Sequence, residues 1–539
     1  MSLAGILGVS GLVTPHVDYV AILPELILSV AALLMMLAAS LYRRPAPRGA
    51  WAISTAVVSA ASIGASWYLW DQVQHRGAHT AINGAIAVDG FSVFFLMLIS
   101  VALGLGVLVA DDYLRREGLD GPEFYVLAML SAAGAMFLAV ADDLIVVFLG
   151  LETLSIALYV LTGYHLRRRE SSEAAIKYFV LGAFSSAVFL YGVALTYGAT
   201  GSTNLAKIGA FLAGNQIVDN GVLLAGLAML IVGLGFKVAA VPFHTWSPDV
   251  YQGAPTPVTG YMAAVAKAAG FAGLLRVLYS SFSLLRTDWQ PVITVVAALT
   301  LVVGAVAALV QTDIKRLMAY SSINHAGFVL VGLAAATSQG ISGALYYLFA
   351  YTFMVIGTFA VITLVGRRGD SRHRLDDYRG LARERPVLAA VLALLLFAQS
   401  GVPFTTGFLA KFSVISAAIQ ARSYPLAILA MLSAAVAAVY YLRVVFLMYG
   451  SAPTPSPELT TALAVSAAGG GPGGTAASVS RPAAPGPGEP VDVVPLADEP
   501  IAMPPGVLLV LGLCAAFTVA MGLWPDPVLD FARHASLLF

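Results

Sequence analysis

Charged residues are scarce in this chain of 539 residues. Asp, Glu, Lys and Arg make up 11% of it, hydrophobic residues make up 59%, and the mean hydropathy is +0.85. Soluble domains usually contain about 25% charged residues, because their surface must interact with water. The composition therefore excludes a soluble globular protein and predicts that the lipid bilayer surrounds the chain. The formal net charge is zero, and basic residues form no block outside arginine-rich loops, so nucleic acid is not expected as a partner.

Cysteine is nearly absent. The single cysteine, Cys514, lies within an apolar run, which excludes a disulfide framework or a cysteine-based metal cluster and favours a packing role. The sequence also lacks a phosphate-binding Walker loop, a dinucleotide-binding glycine fingerprint, a nucleophilic serine elbow and a His, Cys and Asp set at metal-binding spacing. We therefore expect neither a metal nor a cofactor in this chain.

Long apolar runs follow one another along most of the sequence. A membrane helix needs about 20 apolar residues to cross a hydrocarbon core of roughly 30 Å. The first run has no basic segment before it and reaches spanning length, so it is predicted to be an anchor and not a cleaved signal peptide. The pattern predicts an all-α polytopic membrane protein with about fourteen helices, at 19–40, 50–70, 90–110, 123–140, 143–163, 174–198, 219–241, 256–280, 289–311, 317–336, 342–366, 386–420, 425–449 and 505–524.

One segment, 451–503, differs from the rest in composition. Ala, Gly, Pro, Ser and Thr dominate it. Such a segment cannot bury enough apolar surface to offset the entropy of the chain, so we predict a disordered linker outside the lipid, with a functional lid as the alternative.

Arginine is distributed unevenly between the loops. Loops after odd-numbered predicted helices contain most of the arginines, including Arg167 to Arg169 and a set from Arg367 to Arg385, whereas loops after even-numbered helices contain few. Short loops rich in Lys and Arg stay on the cytoplasmic side of a membrane. The odd-numbered loops are therefore predicted to face the cytoplasm and both termini to face the outside.

Several lysines fall inside the apolar runs. Lys237, Lys267 and Lys411 lie well inside predicted helices, and Lys177 lies about one turn inside another. The remaining two lysines are expected in loops: Lys207 and Lys315. A charge at the centre of a membrane helix costs at least about 2.5 to 3.5 kcal/mol, so such residues usually face the protein interior and mark a pathway. Because a buried lysine can release its proton whereas arginine stays charged, these lysines are candidate proton carriers.

Glu152 is the one acid at comparable depth, in the middle of the fifth predicted helix. A carboxylate beside a buried lysine would stabilise both charges, and separating them would favour release of the lysine proton. Glu152 and Lys237 are therefore a candidate switch. His325, two turns inside the tenth helix, is a candidate relay, with a neutral hydrogen-bonded imidazole as the alternative. His244 is a candidate relay that would bridge water at a helix break, with a hydrogen bond to the backbone there as the alternative.

Structural roles remain as alternatives at other positions. Lys177 can instead extend to the membrane interface, and Lys267 can instead take part in a structural ion pair. The acidic residues at the ends of predicted helices are expected to be solvated helix caps: Glu25, Asp89, Asp142 and Asp143.

Two predicted helices contain a proline close to a lysine. Lys237 precedes Val241-Pro-Phe-His-Thr-Trp246, and Lys411 follows Val402-Pro-Phe-Thr-Thr-Gly407. Proline kinks a helix, and the carbonyls it frees at membrane depth need a cavity lined by protein or water. The two are the seventh and twelfth predicted helices, five apart in the chain. Successive membrane helices alternate in direction, so an offset of five helices reverses the direction, and matching units of five helices must be inverted relative to each other. We predict two inverted five-helix repeats with discontinuous helices 7 and 12.

A family resemblance rests on several segments. They are Phe148 to Tyr159, Ala174 to Ser185, Gly235 to Asp249, Gly253 to Val258, and Asp313 to Ser322. On these segments the chain resembles the antiporter-like membrane subunits of respiratory complex I, and the resemblance extends over nearly all of the chain outside the predicted linker. It implies that five residues match the charged axis of that family: Glu152, Lys177, Lys237, Lys267 and Lys411.

The resemblance also implies a function and a division of the chain. The chain would export protons across a bacterial cell membrane, driven by electron transfer from NADH to quinone in other subunits, which would hold the NAD, flavin, iron-sulfur clusters and quinone. Its partners would be a neighbouring antiporter-like subunit and small membrane subunits. The expected parts are helices 1–3 (1–122), the first repeat (123–280), the second repeat (281–450), the linker (451–503) and helix 14 (504–539).

Two other functions stay open. A subunit of a multisubunit sodium/proton antiporter would share the same signature and need no redox partner. A purely structural membrane scaffold would use the buried charges only to hold helices together.

Overall fold

A computed structural model of the chain describes residues 17–41, 47–215, 220–450 and 503–535. These residues are almost entirely helical, apart from one two-stranded antiparallel hairpin. The predicted all-α fold is confirmed. The predicted linker lies outside the described residues, except for its last residue, Met503.

The helices follow the apolar runs closely. Their bounds are α1 Leu23–Leu41, α2 Ala50–Arg76, α3 Gly90–Glu117, α4 Pro122–Val140, α5 Leu144–Thr162, α6 Arg169–Thr200, α7 Leu205–Gly214, α8 Gly221–Lys237, α9 Trp246–Gly253, α10 Thr256–Arg276, α11 Arg286–Leu309, α12 Ile314–Ala335, α13 Ser338–Val365, α14 Leu381–Glu384, α15 Pro386–Ser400, α16 Thr406–Gln420, α17 Tyr424–Tyr449, α18 Pro505–Leu523 and α19 Asp526–His534.

Within the described ranges, twelve helical segments are long and apolar enough to cross a membrane. The helix pairs α8 with α9 and α15 with α16 are each interrupted, and their members are too short to be among the twelve. The chain is thus a multi-pass membrane protein with two discontinuous helices, as predicted. The number of fourteen crossings, which counts each interrupted pair once, stays a prediction.

Helix contacts repeat in two successive units. In the first unit α4 packs on α5, and α6 packs on α8 and α9; in the second unit α11 packs on α12, and α13 packs on α15 and α16. Each interrupted pair therefore packs on the third helix of its unit. α10 is buried along its whole length, so the helix that carries Lys267 lies at the centre of the protein.

Three short elements were not predicted from the sequence. A hairpin pairs His79–Ala81 with Ile86–Val88, and α7 and α19 are helices of ten and nine residues. All three are too short to form a long apolar run, so the apolar pattern of the sequence does not indicate them. The hairpin and the start of α7 lie next to the link between α4 and α5, where they matter for a site described below.

Small residues allow close contact between α4 and α5. A β-carbon added at Gly134 would collide with the backbone nitrogen of Leu154 and lie 2.9 Å from the β-carbon of Thr153. Membrane helices pack through such small residues because lipid gives them no hydrophobic driving force for association. By contrast, a β-carbon at Gly198 in α6 would meet nothing within 4 Å.

We expect Gly134→Ala to destabilise the protein, because the added methyl group must separate two packed backbones. Overpacking of this kind costs about 1–3 kcal/mol. The midpoint of thermal unfolding, followed by circular dichroism of the full chain in detergent, should fall for Gly134→Ala and stay near the wild-type value for Gly198→Ala. Equal midpoints for the two variants would contradict the packing described here.

Candidate functional site

Three lysines lie in the protein interior at membrane depth. The exposed fraction is 2% for Lys237, 3% for Lys267 and 6% for Lys411. Within the described residues, none of the three forms an ion pair with an acidic side chain. Buried ammonium groups are costly without a counter-ion, so their surroundings must supply other polar atoms.

The first of these lysines ends α8, directly before the helix break. Its Nζ atom donates hydrogen bonds to Ser155 Oγ at 2.9 Å and to the Tyr178 hydroxyl at 3.3 Å. Tyr178 also stacks on Trp246, at the start of α9, with ring centroids 4.6 Å apart. Lys237 therefore contacts α5 and α6 at the position where its own helix stops.

The predicted switch residue Glu152 lies on the same helix as Ser155, three residues before it. One of its carboxylate oxygens is buried and has no hydrogen-bond partner. No ion pair joins Glu152 to Lys237 within 4.0 Å among the described residues. The structure thus has the two groups close on neighbouring helices but out of contact, with Ser155 bound to the lysine.

Lys411 lies beside the second helix break. α15 ends at Ser400, and the Ser400 carbonyl accepts a hydrogen bond of 2.8 Å from Lys411 Nζ. Gly401 follows with a φ of +93°, and a β-carbon there would lie 3.0 Å from Lys411 Cδ. Glycine therefore permits both the left-handed backbone and the approach of the lysine to the freed carbonyl.

A layer of hydroxyl groups lies between Lys267 and Lys411. Lys267 Nζ donates to the Ser322 carbonyl, and the Ser322 hydroxyl accepts a hydrogen bond of 2.7 Å from Tyr351. One turn further along α12, His325 binds the Tyr347 hydroxyl through Nδ1 at 2.7 Å and the Tyr441 hydroxyl through Nε2 at 3.0 Å. The predicted relay His325 is therefore a buried, fully hydrogen-bonded imidazole between two tyrosines.

Sequence reasoning missed these tyrosines. Tyr347, Tyr351 and Tyr441 lie in apolar helices, where an aromatic residue usually indicates core packing. Only the structure shows that their hydroxyl groups converge on α12. His244 lies at the first break; its Nδ1 atom is buried without a hydrogen-bond partner, and no hydrogen bond joins it to the three buried lysines in the described part of the chain.

Lys177 differs from the other lysines because it is accessible. Its side chain is 43% exposed and forms ion pairs of 2.7 Å with Glu173 and 2.8 Å with Asp249. Asp249, on α9, also pairs with Arg316 at 2.8 Å. These side chains line a surface cavity of about 280 Å³. Lys177 thus lies at the mouth of a charged pocket and not in the buried row.

The cavity belongs to what we call the arginine-rich face, formed by the segments 163–169, 249–253, 313–316 and 366–385. At its centre lies Asp370, which is fully buried. Its carboxylate accepts hydrogen bonds of 2.7 Å from Arg168 and 2.7 Å from Thr256, and lies 3.1 Å from His373 and 3.6 Å from Lys315. Burial alone would raise the pKa of Asp370, but Lys315, His373 and Arg168 hold it well below its usual range.

Several expectations about charged residues were wrong. Lys315 was expected in a loop, but it is fully buried within α12, because the 366–373 loop folds over the start of that helix and brings Asp370 to it. Three of the expected solvated caps are fully buried: Glu25, Asp89 and Asp142. Asp89 is nevertheless a helix cap, because it accepts a hydrogen bond from the Ser92 amide at the start of α3. The fourth, Asp143, is partly exposed and caps α5 by accepting a hydrogen bond from the Ile145 amide.

Comparison with known proteins places the chain in a family. A family profile described as NADH:quinone oxidoreductase/Mrp antiporter, TM, matches residues 141–437. The NADH-quinone oxidoreductase subunit N of Trichlorobacter lovleyi is 46% identical over 370 residues, which cover 69% of this chain and 76% of the relative. The chain belongs to the NADH:quinone oxidoreductase/Mrp antiporter family of membrane subunits.

Solved structures agree with this family membership. A chain of respiratory complex I from Thermus thermophilus with bound aureothin is 30% identical, with a TM-score of 0.72 over 94% of this chain and 98% of that chain. A chain of the Mrp complex from Dietzia sp. has a TM-score of 0.78 over 96% of this chain and 97% of that one, at 20% identity, which shows a shared fold alone. The range matched by the antiporter family profile contains the five predicted axis residues and both helix breaks.

We expect Asp370→Asn to destabilise the protein, because the substitution leaves Arg168 and Lys315 without their buried counter-charge. Breaking a buried pair costs about 3 to 5 kcal/mol. The depressed pKa of Asp370 makes its stabilising effect complete above the pKa of the unfolded chain and lost as the pH falls through the folded value. Thermal unfolding of the full chain in detergent should therefore show a lower midpoint at neutral pH and a weaker acid dependence.

The matched control is Asp376→Asn in the same loop. Asp376 has an exposed side chain that, within the described residues, pairs only with exposed Arg379, and such pairs contribute about 0–1 kcal/mol. The role assigned to Asp370 fails if both variants have the same midpoint.

Proposed function

We propose that the chain is a proton-translocating membrane subunit of an NADH-quinone oxidoreductase and that its buried lysines carry the protons. The observation that supports this most strongly is the row of Lys237, Lys267 and Lys411, each buried and each bound to hydroxyl or carbonyl oxygens instead of to an acid. A lysine in a structural ion pair would have a fixed counter-charge. A lysine bound to neutral oxygens can lose its proton and keep a partner.

The proposed route begins at the cavity around Lys177, where the ion pairs with Glu173 and Asp249 connect α6 to α9. A proton then passes to Lys237, which lies at the end of α8 beside Tyr178. Water at the helix break, together with the hydroxyl groups of Ser155 and Tyr178, would connect these positions. His244 belongs to the same break and is a candidate for binding that water.

From Lys237 the route continues to Lys267 on α10 and then across α12 to Lys411. Ser322, Tyr351 and His325 with its two tyrosines form the polar layer on this path. A histidine between two hydroxyl groups can accept a proton at one nitrogen and donate one at the other. His325 is therefore placed to connect the two halves of the row.

Glu152 would control the first step. In the open arrangement seen here, Ser155 binds Lys237 and one Glu152 oxygen has no partner. Rotation of either side chain to form the ion pair would stabilise a proton on Lys237, and reopening would release it. The switch therefore needs only a local movement at α5 and the end of α8.

The redox chemistry would take place elsewhere. NAD, flavin, iron-sulfur clusters and quinone are expected in other subunits of the complex, and this chain would be a translocase subunit without a redox centre. Its expected partners are a neighbouring antiporter-like subunit and small membrane subunits. The arginine-rich face would face the cytoplasm, and both termini would face the outside of a bacterial cell membrane.

The alternatives make different predictions. The Mrp complex shares the fold at low identity, whereas the relative that is 46% identical carries the name NADH-quinone oxidoreductase subunit N, which favours the redox-coupled complex over a sodium/proton antiporter. A structural scaffold would need the charge of Lys237 but not its ability to lose a proton.

The variant Lys237→Arg separates the relay from the scaffold. Arginine keeps the positive charge and the hydrogen bonds, but it does not release its proton at accessible pH. We expect quinone-linked NADH oxidation and proton pumping to fall by about an order of magnitude or more, because each pKa unit adds about 1.4 kcal/mol to deprotonation. The measurement uses membranes in which native gels show the complex to be assembled.

Lys207→Arg is the control. Lys207 is exposed on α7, so the same change there should leave both rates near the wild-type value. An unchanged ratio of protons to electrons at full turnover in Lys237→Arg would refute the relay and favour the scaffold.

A further inference from the structure

The face opposite the arginine-rich face contains a second buried charge cluster, at the link between α4 and α5. Asp142 lies in this link and is fully buried. Its backbone is fixed on two sides: its amide donates to the Ala85 carbonyl at 2.9 Å, and its carbonyl accepts from the Leu205 amide at 2.9 Å. The hairpin and the start of α7 thus hold the Asp142 side chain in place.

Asp142 shares the cluster with an ion pair between buried residues. Arg276, at the end of α10, donates to both oxygens of Asp89, each at 2.9 Å, and to the Ser92 hydroxyl at 2.8 Å. Both residues of the pair are 0% exposed. The guanidinium therefore already has Asp89 and Ser92 as hydrogen-bond partners.

The Asp142 carboxyl has fewer hydrogen-bond donors around it than the Asp89 carboxyl. Among the residues that the structure describes, the Oδ1 atom is buried with no hydrogen-bond partner, and the other oxygen accepts only a long contact of 3.4 Å from Asn204 Nδ2. Burying a charged carboxylate without hydrogen-bond donors costs much free energy, whereas burying a neutral, protonated carboxyl at the same place costs less. Two acids and one guanidinium are balanced in charge when one of the two acids is protonated.

The surrounding charges favour a proton on one of the two acids. The charged groups that act on Asp142 are Arg276 from α10, Asp89 from the start of α3, and Asp143 on the same link. Burial raises the pKa of Asp142 to about 6, while Arg276 and the Asn204 hydrogen bond act in the opposite direction. Burial would also raise the pKa of Asp89, but Arg276 holds it below its usual range. The added proton therefore belongs to Asp142.

We propose that Asp142 is a proton-release group at the outer end of the pathway, which holds a proton while Arg276 is bound to Asp89 and loses it when Arg276 turns to bridge both carboxylates. In this step the O–H bond of the Asp142 carboxyl breaks, the proton passes to water outside, and the guanidinium stabilises the carboxylate that remains. The proposal rests on the proposed function for the source of the proton.

One helix of this cluster, α10, also carries a lysine of the buried row. Arg276 lies nine residues after Lys267 on α10, which is about 14 Å along a helix axis, and Asp142 precedes α5, which carries Glu152. A change of charge at Lys267 or Glu152 that shifts either helix would move Arg276 relative to Asp142. The neighbouring Asp143 is partly exposed, so a released proton has a short path to water.

Infrared difference spectroscopy of the full chain in lipid nanodiscs tests proton binding directly. Lowering the pH from about 8 to about 5 should produce carbonyl bands of several protonated carboxyls in the wild type. One band should have its midpoint near pH 6, and Asp142→Asn should lack that band. In Asp89→Asn, Arg276 is free to bind Asp142, so the band should also be absent over this range. Asp71→Asn, at an exposed position on α2, should keep the band.

Absence of the band in the wild type, or its persistence in Asp142→Asn, overturns the proposal. In the assembled complex, Asp142→Asn should lower the number of protons released per electron and remove the inflection of pumping near pH 6, while Asp71→Asn changes neither. Unchanged pumping by Asp142→Asn would also overturn it. If Lys237→Arg shows that the chain does not pump, the infrared result still decides whether Asp142 binds a proton.

Discussion

The structure depends on one constraint, namely that a charge or a free carbonyl at membrane depth must find its polar partners within the protein. A single break in a helix frees carbonyls that lipid cannot satisfy. A buried lysine needs acceptors that lipid cannot supply. At the end of α15 the free carbonyl and the buried lysine satisfy each other, because Lys411 donates a hydrogen bond to the carbonyl that the break leaves free at Ser400. The lysine and the break are therefore one structural feature.

The hydrogen-bond partners of the buried lysines also determine what these lysines can do. An acidic partner would fix a lysine in its charged state, whereas carbonyl and hydroxyl oxygens accept a hydrogen bond from either the ammonium or the neutral amine. Ser155, the Ser322 carbonyl and the Ser400 carbonyl are partners of this kind. The interior thus permits both protonation states, and the buried row differs in this respect from Lys177, whose acidic partners at the surface fix its charge.

The sequence predicted the features that depend on local pattern. Apolar length located the long helices, and proline beside lysine located both breaks, because these signals need no knowledge of what packs nearby. Contacts between distant segments left no such signal. The hydroxyl groups bound to His325 come from two other helices, α13 and α17, and the burial of Lys315 depends on a loop more than fifty residues later. Asp142 was misread for the same reason, since a short hairpin and α7 cover a position that resembles a solvated helix cap.

The two faces of the protein treat buried carboxylates in opposite ways. On the arginine-rich face, Asp370 has two full cations and a histidine close by, so its negative charge is overcompensated and stays fixed. On the other face, Arg276 pairs with Asp89 and is also the cation that acts on Asp142. Lys315, His373 and Arg168 keep the Asp370 carboxylate charged at physiological pH, whereas the proton release proposed for Asp142 uses the smaller positive charge on the second face. A directional pump needs this asymmetry, because a proton that is carried across must reach a group that can give it up.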